Sequence, residues 1–190
     1  SRNTRWPMVV FDNYRASFEV AQTLIDRGHE RIGFISAPLD DQQAGRRRQT
    51  GHLDALKAAS LPQPAGHIQH AEFSVASGYA AMVRMLDHGP SAPTAIVAAS
   101  DLIAIGAMRA LRDRGLKIPQ DVSLFGFDDI PVCSRLIPTL SSVWLDFSEL
   151  GESCADLLHR MIERGTTQVE RVVLSHAIRI RESVQTKISD

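Results

Sequence analysis

Apolar residues along the chain fall into two patterns that alternate over most of its length: short continuous runs and stripes with a 3.6-residue period. Met8-Val9-Val10-Phe11, directly after Pro7, is a continuous run and predicts a buried strand. Ala16, Val20, Ala21, Leu24 and Ile25 then share one helical face, and Gly28 supplies a left-handed stop. Residues 31–36 predict the next strand. After a polar loop, Leu53, Leu56 and Ala59 mark a helix ending before Leu61-Pro62-Gln63-Pro64, and residues 67–71 a weaker strand. Tyr79, Met82, Val83 and Leu86 form the stripe of the helix that follows. Residues 94–99 predict a strand, and Asp101 is placed to cap a helix whose stripe is Ala104, Ala107, Met108 and Leu111, closed by Gly115. Strands are expected again at 122–127 and 141–144. Asp146-Phe147-Ser148-Glu149 has capping-box spacing for a helix bearing Leu150, Cys154, Leu157, Leu158 and Met161. Strand-like stretches at 171–174 and 177–181 close the chain. This order predicts an α/β fold, a doubly wound, mostly parallel sheet with helices on both faces and right-handed crossovers.

In such a sheet the strand-to-helix loops emerge on one edge, and ligands bind outside the carboxyl ends of the strands. That edge carries residues 37–48, Glu72-Phe73, Ser100-Asp101 and Asp128-Asp129. A cationic fork, an aromatic plate, a hydroxyl and several carboxylates suit a polar, polyhydroxylated ligand. A sugar ring stacks its C–H face on an aromatic while adjacent hydroxyls take paired hydrogen bonds from Asp and Arg. By themselves Arg46-Arg47-Arg48 read as a solvated helix face or a phosphate clamp, and Asp128-Asp129 as turn residues after a strand.

Composition narrows the function. Twenty-one Lys plus Arg against 22 Asp plus Glu leave a net charge of -1, so no overall field favours nucleic acid or a membrane surface. The two cysteines, Cys133 and Cys154, sit in apolar stretches and form no disulfide framework, which fits a reducing cytoplasm. No window approaches the roughly 18 apolar residues of a membrane span. Ser1 has the look of a cut edge of a longer chain. His67 and His70 have the wrong spacing for a helical metal site, no Gly-x-Ser-x-Gly occurs, and no Gly-rich phosphate loop is visible. Neither an enzyme, a metal nor a cofactor is expected.

Leu24 to Ile35 (Leu-Ile-Asp-Arg-Gly-His-Glu-Arg-Ile-Gly-Phe-Ile), Arg48-Gln49-Thr50-Gly51, Ser77-Gly78-Tyr79, Pro93-Thr94-Ala95-Ile96, Ser100-Asp101, residues 118–123, Gly126-Phe127-Asp128-Asp129, Pro138-Thr139-Leu140 and Arg181-Glu182-Ser183 stand in order along nearly the whole chain. In these stretches the sequence resembles the LacI/GalR family of bacterial transcription regulators, at their effector-binding domain of periplasmic-binding-protein type. The resemblance implies a type I periplasmic-binding-protein-like fold with a complete C-terminal subdomain at 13–144. Remnants of an N-terminal subdomain would lie at 1–12 and 145–171, with a closing strand at 172–184 and the DNA-binding domain absent. It makes Arg48, Phe73, Ser100, Asp101 and Asp128 the effector-binding residues, with Ser100 a shorter arm than the Asn the family usually carries there. It implies a two-fold homodimer through Leu102, Ile105, Arg109, Ile130, Cys133 and Leu136. The expected partners are a small effector, a carbohydrate by preference, and operator DNA through the absent upstream domain; no membrane partner is expected. The alternative is a periplasmic sugar-binding protein of a transporter, which shares the fold.

Overall fold

The chain runs β1 (Met8–Phe11), α1 (Asn13–Ile25), β2 (Ile32–Ser36), α2 (Arg48–Ala58), β3 (Ile68–His70), α3 (Val75–Leu86), β4 (Ala95–Ala98), α4 (Asp101–Asp113), β5 (Ser123–Asp128), β6 (Ser141–Leu145), α5 (Phe147–Arg164), β7 (Arg171–Leu174) and β8 (His176–Arg179). These elements come from a computed structural model that describes residues 6–88, 92–164 and 170–187. The chain divides into two units, residues Ser1–Asp12 with Leu145–Ala177 and residues Asn13–Trp144 with Ile178–Asp190. Residues 1–5 and 165–169 of the expected N-terminal remnants lie outside the described residues.

In the larger unit six strands form one sheet in the order β3-β2-β4-β5-β6-β8. The pairs β2–β3, β2–β4, β4–β5 and β5–β6 are all parallel. Every residue of β2 and β4 is buried, as a sheet covered on both faces requires. The helices meet it through apolar stripes: Ala16, Val20, Ala21 and Leu24 on α1, and Ile103, Ala104, Ala107 and Leu111 on α4. The end of α1 is set by Gly28 at φ +83, whose N–H donates to Ile25 while the His29 N–H donates to Leu24, the paired bonds of a left-handed stop. α3 and α4 approach closely because Gly78 and Gly106 face each other's backbones; a Cβ on either would collide with the carbonyl of Ile103 or Val75.

In the smaller unit β1 and β7 pair in parallel, Met8 opposite Arg171 and Phe11 opposite Leu174. α5 lies against them, with Leu157 buried and Phe147 edge-on to Phe11 at 5.6 Å. The Asp146 carboxylate accepts from the N–H groups of Ser148 and Glu149, as the capping spacing predicts.

Several expectations need correction. β7 pairs with β1 in the smaller unit and is no part of a closing segment. The closing strand stops at Arg179, because the Arg181 N–H turns to the Ser141 hydroxyl and leaves the ladder. α2 buries Arg48, Gly51, His52, Ala55 and Leu56, and Leu53 and Ala59 are only half-buried. The stripe was misread because a histidine occupies a core position, its ring 4.9 Å from that of Phe34. Ser100, not Asp101, caps α4.

Candidate functional site

The chain steps from β2 outward to β3 and then returns to the far side of β2 at β4, so the winding reverses between β2 and β4. At such a reversal the loops leaving the two strands diverge and open a crevice at their carboxyl ends. The loop after β2 closes with a π-helical turn, Gln42–Arg47, that runs straight into α2. Asp41 caps the turn, accepting from the N–H groups of Gln43 and Ala44 at 2.8 Å each. Gly45 sits so close to the Pro38 carbonyl that a Cβ would collide with it. The wide turn separates three consecutive arginines: Arg46 reaches out to the Leu39 carbonyl, whereas Arg48 points inward and is 4% exposed.

Arg48 is nearly saturated. Its Nε donates to Asn13 Oδ1 at 2.7 Å and its Nη1 to the Ala99 carbonyl at 2.6 Å, so the side chain bridges from α2 to α1 and to the end of β4. The guanidinium lies 4.3 Å above the Phe127 ring. Nη1 and Nη2 both reach one oxygen of Asp128, Oδ1, at 3.3 Å. Charge-assisted bonds of this kind close to about 2.8 Å when unconstrained, so the ion pair is loose, and the Asp128 side chain keeps 26% of its surface exposed. Burial lowers the Arg48 pKa from its ordinary value, and Asp128, Asp41 and Asp101 oppose the shift. A ligand hydroxyl can accept from Arg48 and donate to Asp128 at once.

Asp128 and Asp129 end β5 with φ of +100 and +51, a region that disfavours residues with a Cβ. The Asp129 carboxylate is enclosed, with Arg179 Nη1 at 2.7 Å from Oδ2 and Arg181 Nη1 at 2.7 Å from Oδ1. Arg179 also covers the Trp144 ring at 4.9 Å.

The other expected ligand residues separate. Phe73 stands 42% exposed beyond the end of β3, on the same edge but with β2 and β4 between it and β5. The Ser100 hydroxyl is buried and accepts from the Ile103 N–H as the cap of α4, so its polar arm is used inside the protein. Asp101 is buried as well. It accepts from the Ser142 hydroxyl at 2.6 Å and the Ile130 N–H at 2.9 Å, and burial pushes its pKa up to about 6. Cys133 is also buried, its thiol turned to Asp101, which removes it from any surface. Of the remaining expected interface residues, Leu102 and Arg109 are exposed and Ile105, Ile130 and Leu136 half-buried. Sequence reasoning missed Asn13, Ser142, Arg179 and Arg181. A polar residue at the head of a buried helix face was the one available signal, and it applies to Asn13 alone.

The sequence and the fold match known proteins. The profile of the periplasmic binding protein-like domain family covers residues 21–184. The HTH-type transcriptional regulator CelR of Thermobifida fusca is 37% identical over 175 residues, 92% of this chain and 51% of CelR. The chain belongs to this family, on its LacI/GalR branch. Among other LacI/GalR relatives, the ribose operon repressor of Escherichia coli K12 is 37% identical over 162 residues, 85% of this chain and 48% of the repressor. The structure of a CelR–cellobiose complex superposes with a TM-score of 0.89 at 36% identity, covering 95% of this chain and 54% of that one. This LacI/GalR chain therefore spans about half the length of the curated relatives it matches, and those relatives are transcriptional regulators. Among its described residues no helix is long and apolar enough to cross a membrane.

Proposed function

We propose that this chain is the effector-binding and dimerisation part of a cytoplasmic LacI-type transcription regulator, and that the effector is a saccharide held by Arg48 and Asp128 with Phe73 as a stacking plate. The observation that carries the reading is the loose, half-open ion pair at the switch point of the sheet. A buried guanidinium already fixed by Asn13 and Ala99 faces a carboxylate that is still partly solvated. Such a pair binds neighbouring hydroxyls and needs no catalytic group, so the role is recognition, not catalysis. The similarity to a regulator solved with cellobiose and to a ribose repressor supports a saccharide, and it favours a regulator over a transporter component.

Self-association uses the outer face of α4. Ile105, Met108 and Arg109, with Leu136, Ile137 and Pro138, line a groove of about 540 Å³, and Ile137 is 96% exposed. A second copy related by a two-fold axis would cover this apolar surface. Operator DNA would be met by residues outside this chain, whose net charge of -1 sets up no overall field for it.

Calorimetric titration with cellobiose, ribose and related sugars tests the effector. A sugar at 100 times its Kd should add about 2.7 kcal/mol to folding stability, and no response to any neutral saccharide would sink the reading. Sedimentation tests the dimer: Ile105→Asp should shift it to monomer, and an unchanged mass would remove this face from the interface.

A further inference from the structure

We infer that Asp101 and Ser142 form a strut that sets the Asp128–Asp129 turn and so fixes where the Asp128 carboxylate meets Arg48 and a ligand. The inference rests on the reading of Asp128 as a ligand-holding residue, and it makes Asp101 and Ser142 positioning residues for that site.

Two consecutive non-glycine residues at positive φ persist only where their surroundings over-determine them. The two N–H groups that follow supply the restraint. Asp129 N–H donates to Ser142 Oγ at 3.1 Å, and Ile130 N–H donates to Asp101 Oδ2 at 2.9 Å. The acceptors are tied to each other, since the Ser142 hydroxyl donates to Asp101 Oδ1 at 2.6 Å. The turn thus hangs from the head of α4 and the start of β6, elements far apart in sequence. Space for the carboxylate is provided by Gly126, where a Cβ would collide with Asp101 Oδ1. Burial pushes the Cys133 thiol pKa up, so the thiol keeps its proton and is a further donor to the same carboxylate. Among the described residues the Asp128 carboxylate meets Arg48 alone and loosely, so its direction is decided by the residues after it.

The strut works as an ionised acceptor. With a hydroxyl, an amide and a thiol all donating to it, protonation of Asp101 would set a hydrogen among three donors and remove the charge that assists their bonds, which weakens its hold on them. The charged or titratable groups facing it are Arg48 on α2, Asp128 at the end of β5, Cys133 after β5 and Arg181 in the closing segment. Acid should therefore loosen the turn.

The test uses the intact protein and the variants Asp101→Asn, Ser142→Ala and Asp128→Asn. Without ligand, amide hydrogen exchange at Asp129 and Ile130 should quicken about tenfold or more in Asp101→Asn and in the milder Ser142→Ala, with β2 and β4 amides unchanged. With cellobiose and ribose as probes, both variants should weaken Kd about tenfold. The double variant should be no worse than either alone, because the two groups act as one unit. In wild type, affinity should fall as pH drops through about 6, and that dependence should vanish in Asp101→Asn; a merely structural role would not move this profile. Wild-type exchange at both amides in the variants overturns the strut. Full affinity in Asp101→Asn and Ser142→Ala, with affinity lost in Asp128→Asn, overturns the positioning role alone. Full affinity in Asp128→Asn overturns the site reading on which the inference rests, and wild type binding neither probe overturns its saccharide assignment.

Discussion

Asp129 is gripped by two arginines at 2.7 Å and keeps 2% of its side-chain surface, whereas Asp128, one residue earlier, faces a single arginine at 3.3 Å and keeps 26%. The two share a residue type, a strand end and a positive φ. They differ in what comes to meet them. Arg179 and Arg181 arrive from the closing segment and enclose Asp129, so its charge is spent on joining that segment to β5. Arg48 arrives already committed to Asn13 and Ala99, so it cannot close fully on Asp128. A buried charge with closed pairs is architecture; a buried charge held off its partner retains binding capacity. On the proposed reading, two adjacent carboxylates divide structure and recognition between them.

The largest effect expected from breaking this division is on stability. Asp129→Ala leaves the largely enclosed Arg181 and its neighbour Arg179 without their counter-charge, and removing one member of a buried pair costs about 3 kcal/mol or more. Urea denaturation of the larger unit should show this loss, and a change below about 1 kcal/mol would mean that the arginines re-pair with solvent.

Acid attacks the other half, through the helix that carries Arg48. His52 lies one turn further along the buried face of α2, and burial lowers its pKa from 6.5 to about 4. The unfolded chain therefore binds a proton that the native state refuses, and this contribution to stability is lost as pH falls from 6.5 to about 4, amounting to about 3 kcal/mol. Asp101 has the opposite sign: raised from 3.8 to about 6, it takes up its proton first in the native state and adds stability as pH falls through that window. The two offset each other. His52→Phe should remove one side, so its stability relative to wild type should climb by about 3 kcal/mol across the window. A constant difference in thermal melts at several pH values would show that the ring stays solvated.

Asp128→Asn sharpens the comparison from the ligand side. A charge-assisted hydrogen bond contributes about 1.5 to 3 kcal/mol, so saccharide binding should weaken roughly ten- to a hundred-fold, while folding should change by under about 1 kcal/mol because the lost ion pair is long and partly solvated. Arg48→Met should weaken binding similarly but also destabilise. Its burial makes it unlike a solvated pocket residue, and Asn13 Oδ1 and the Ala99 carbonyl would be left without donors, at about 1–3 kcal/mol. Calorimetry beside denaturation separates the two variants; equal stability in both would place Arg48 nearer solvent.

The order of strands and helices was legible because buried parallel strands write themselves as continuous apolar runs, and β2, β4 and β5 do so without interruption. The family was legible from its motifs, and with it the expectation that Arg48 and Asp128 serve one ligand site; the contact between them across 80 residues was not. The motif singled out Arg48 from Arg46, but the π-helical turn that aims one inward and the other outward leaves no periodic trace. Asp101 shows a finer limit. Ser100 and Asp101 are both good caps, and with Ser100 in the cap position the Asp101 carboxylate turns inward to Ser142 and Ile130. Asp129 read as a turn residue because its arginines lie 50 and 52 residues away, beyond any local pattern. His52 misled the stripe of α2 because a neutral ring packs like an aromatic while counting as polar.

Phe73→Ala should have the smallest effect, and it tests whether the recognising edge extends beyond the ion pair. The ring is 42% exposed and caps no core, so folding stability should stay within about 0.5 kcal/mol of wild type. Its value lies in a ligand with a flat or C–H-lined face, where stacking contributes about 0.5–1.5 kcal/mol, or roughly two- to twelve-fold in Kd. The loss should be larger for a pyranose than for an acyclic polyol of equal hydroxyl count, because only the ring presents a continuous C–H face. Equal losses for both, or none for either, would confine recognition to Arg48 and Asp128. Since β2 and β4 separate Phe73 from β5, a selective loss would also require a ligand that reaches across two strands. Three strand spacings of about 5 Å each make a span of roughly 15 Å. A monosaccharide covers only part of that distance, so the pattern of losses across mono- and disaccharides reads out the size of the natural effector.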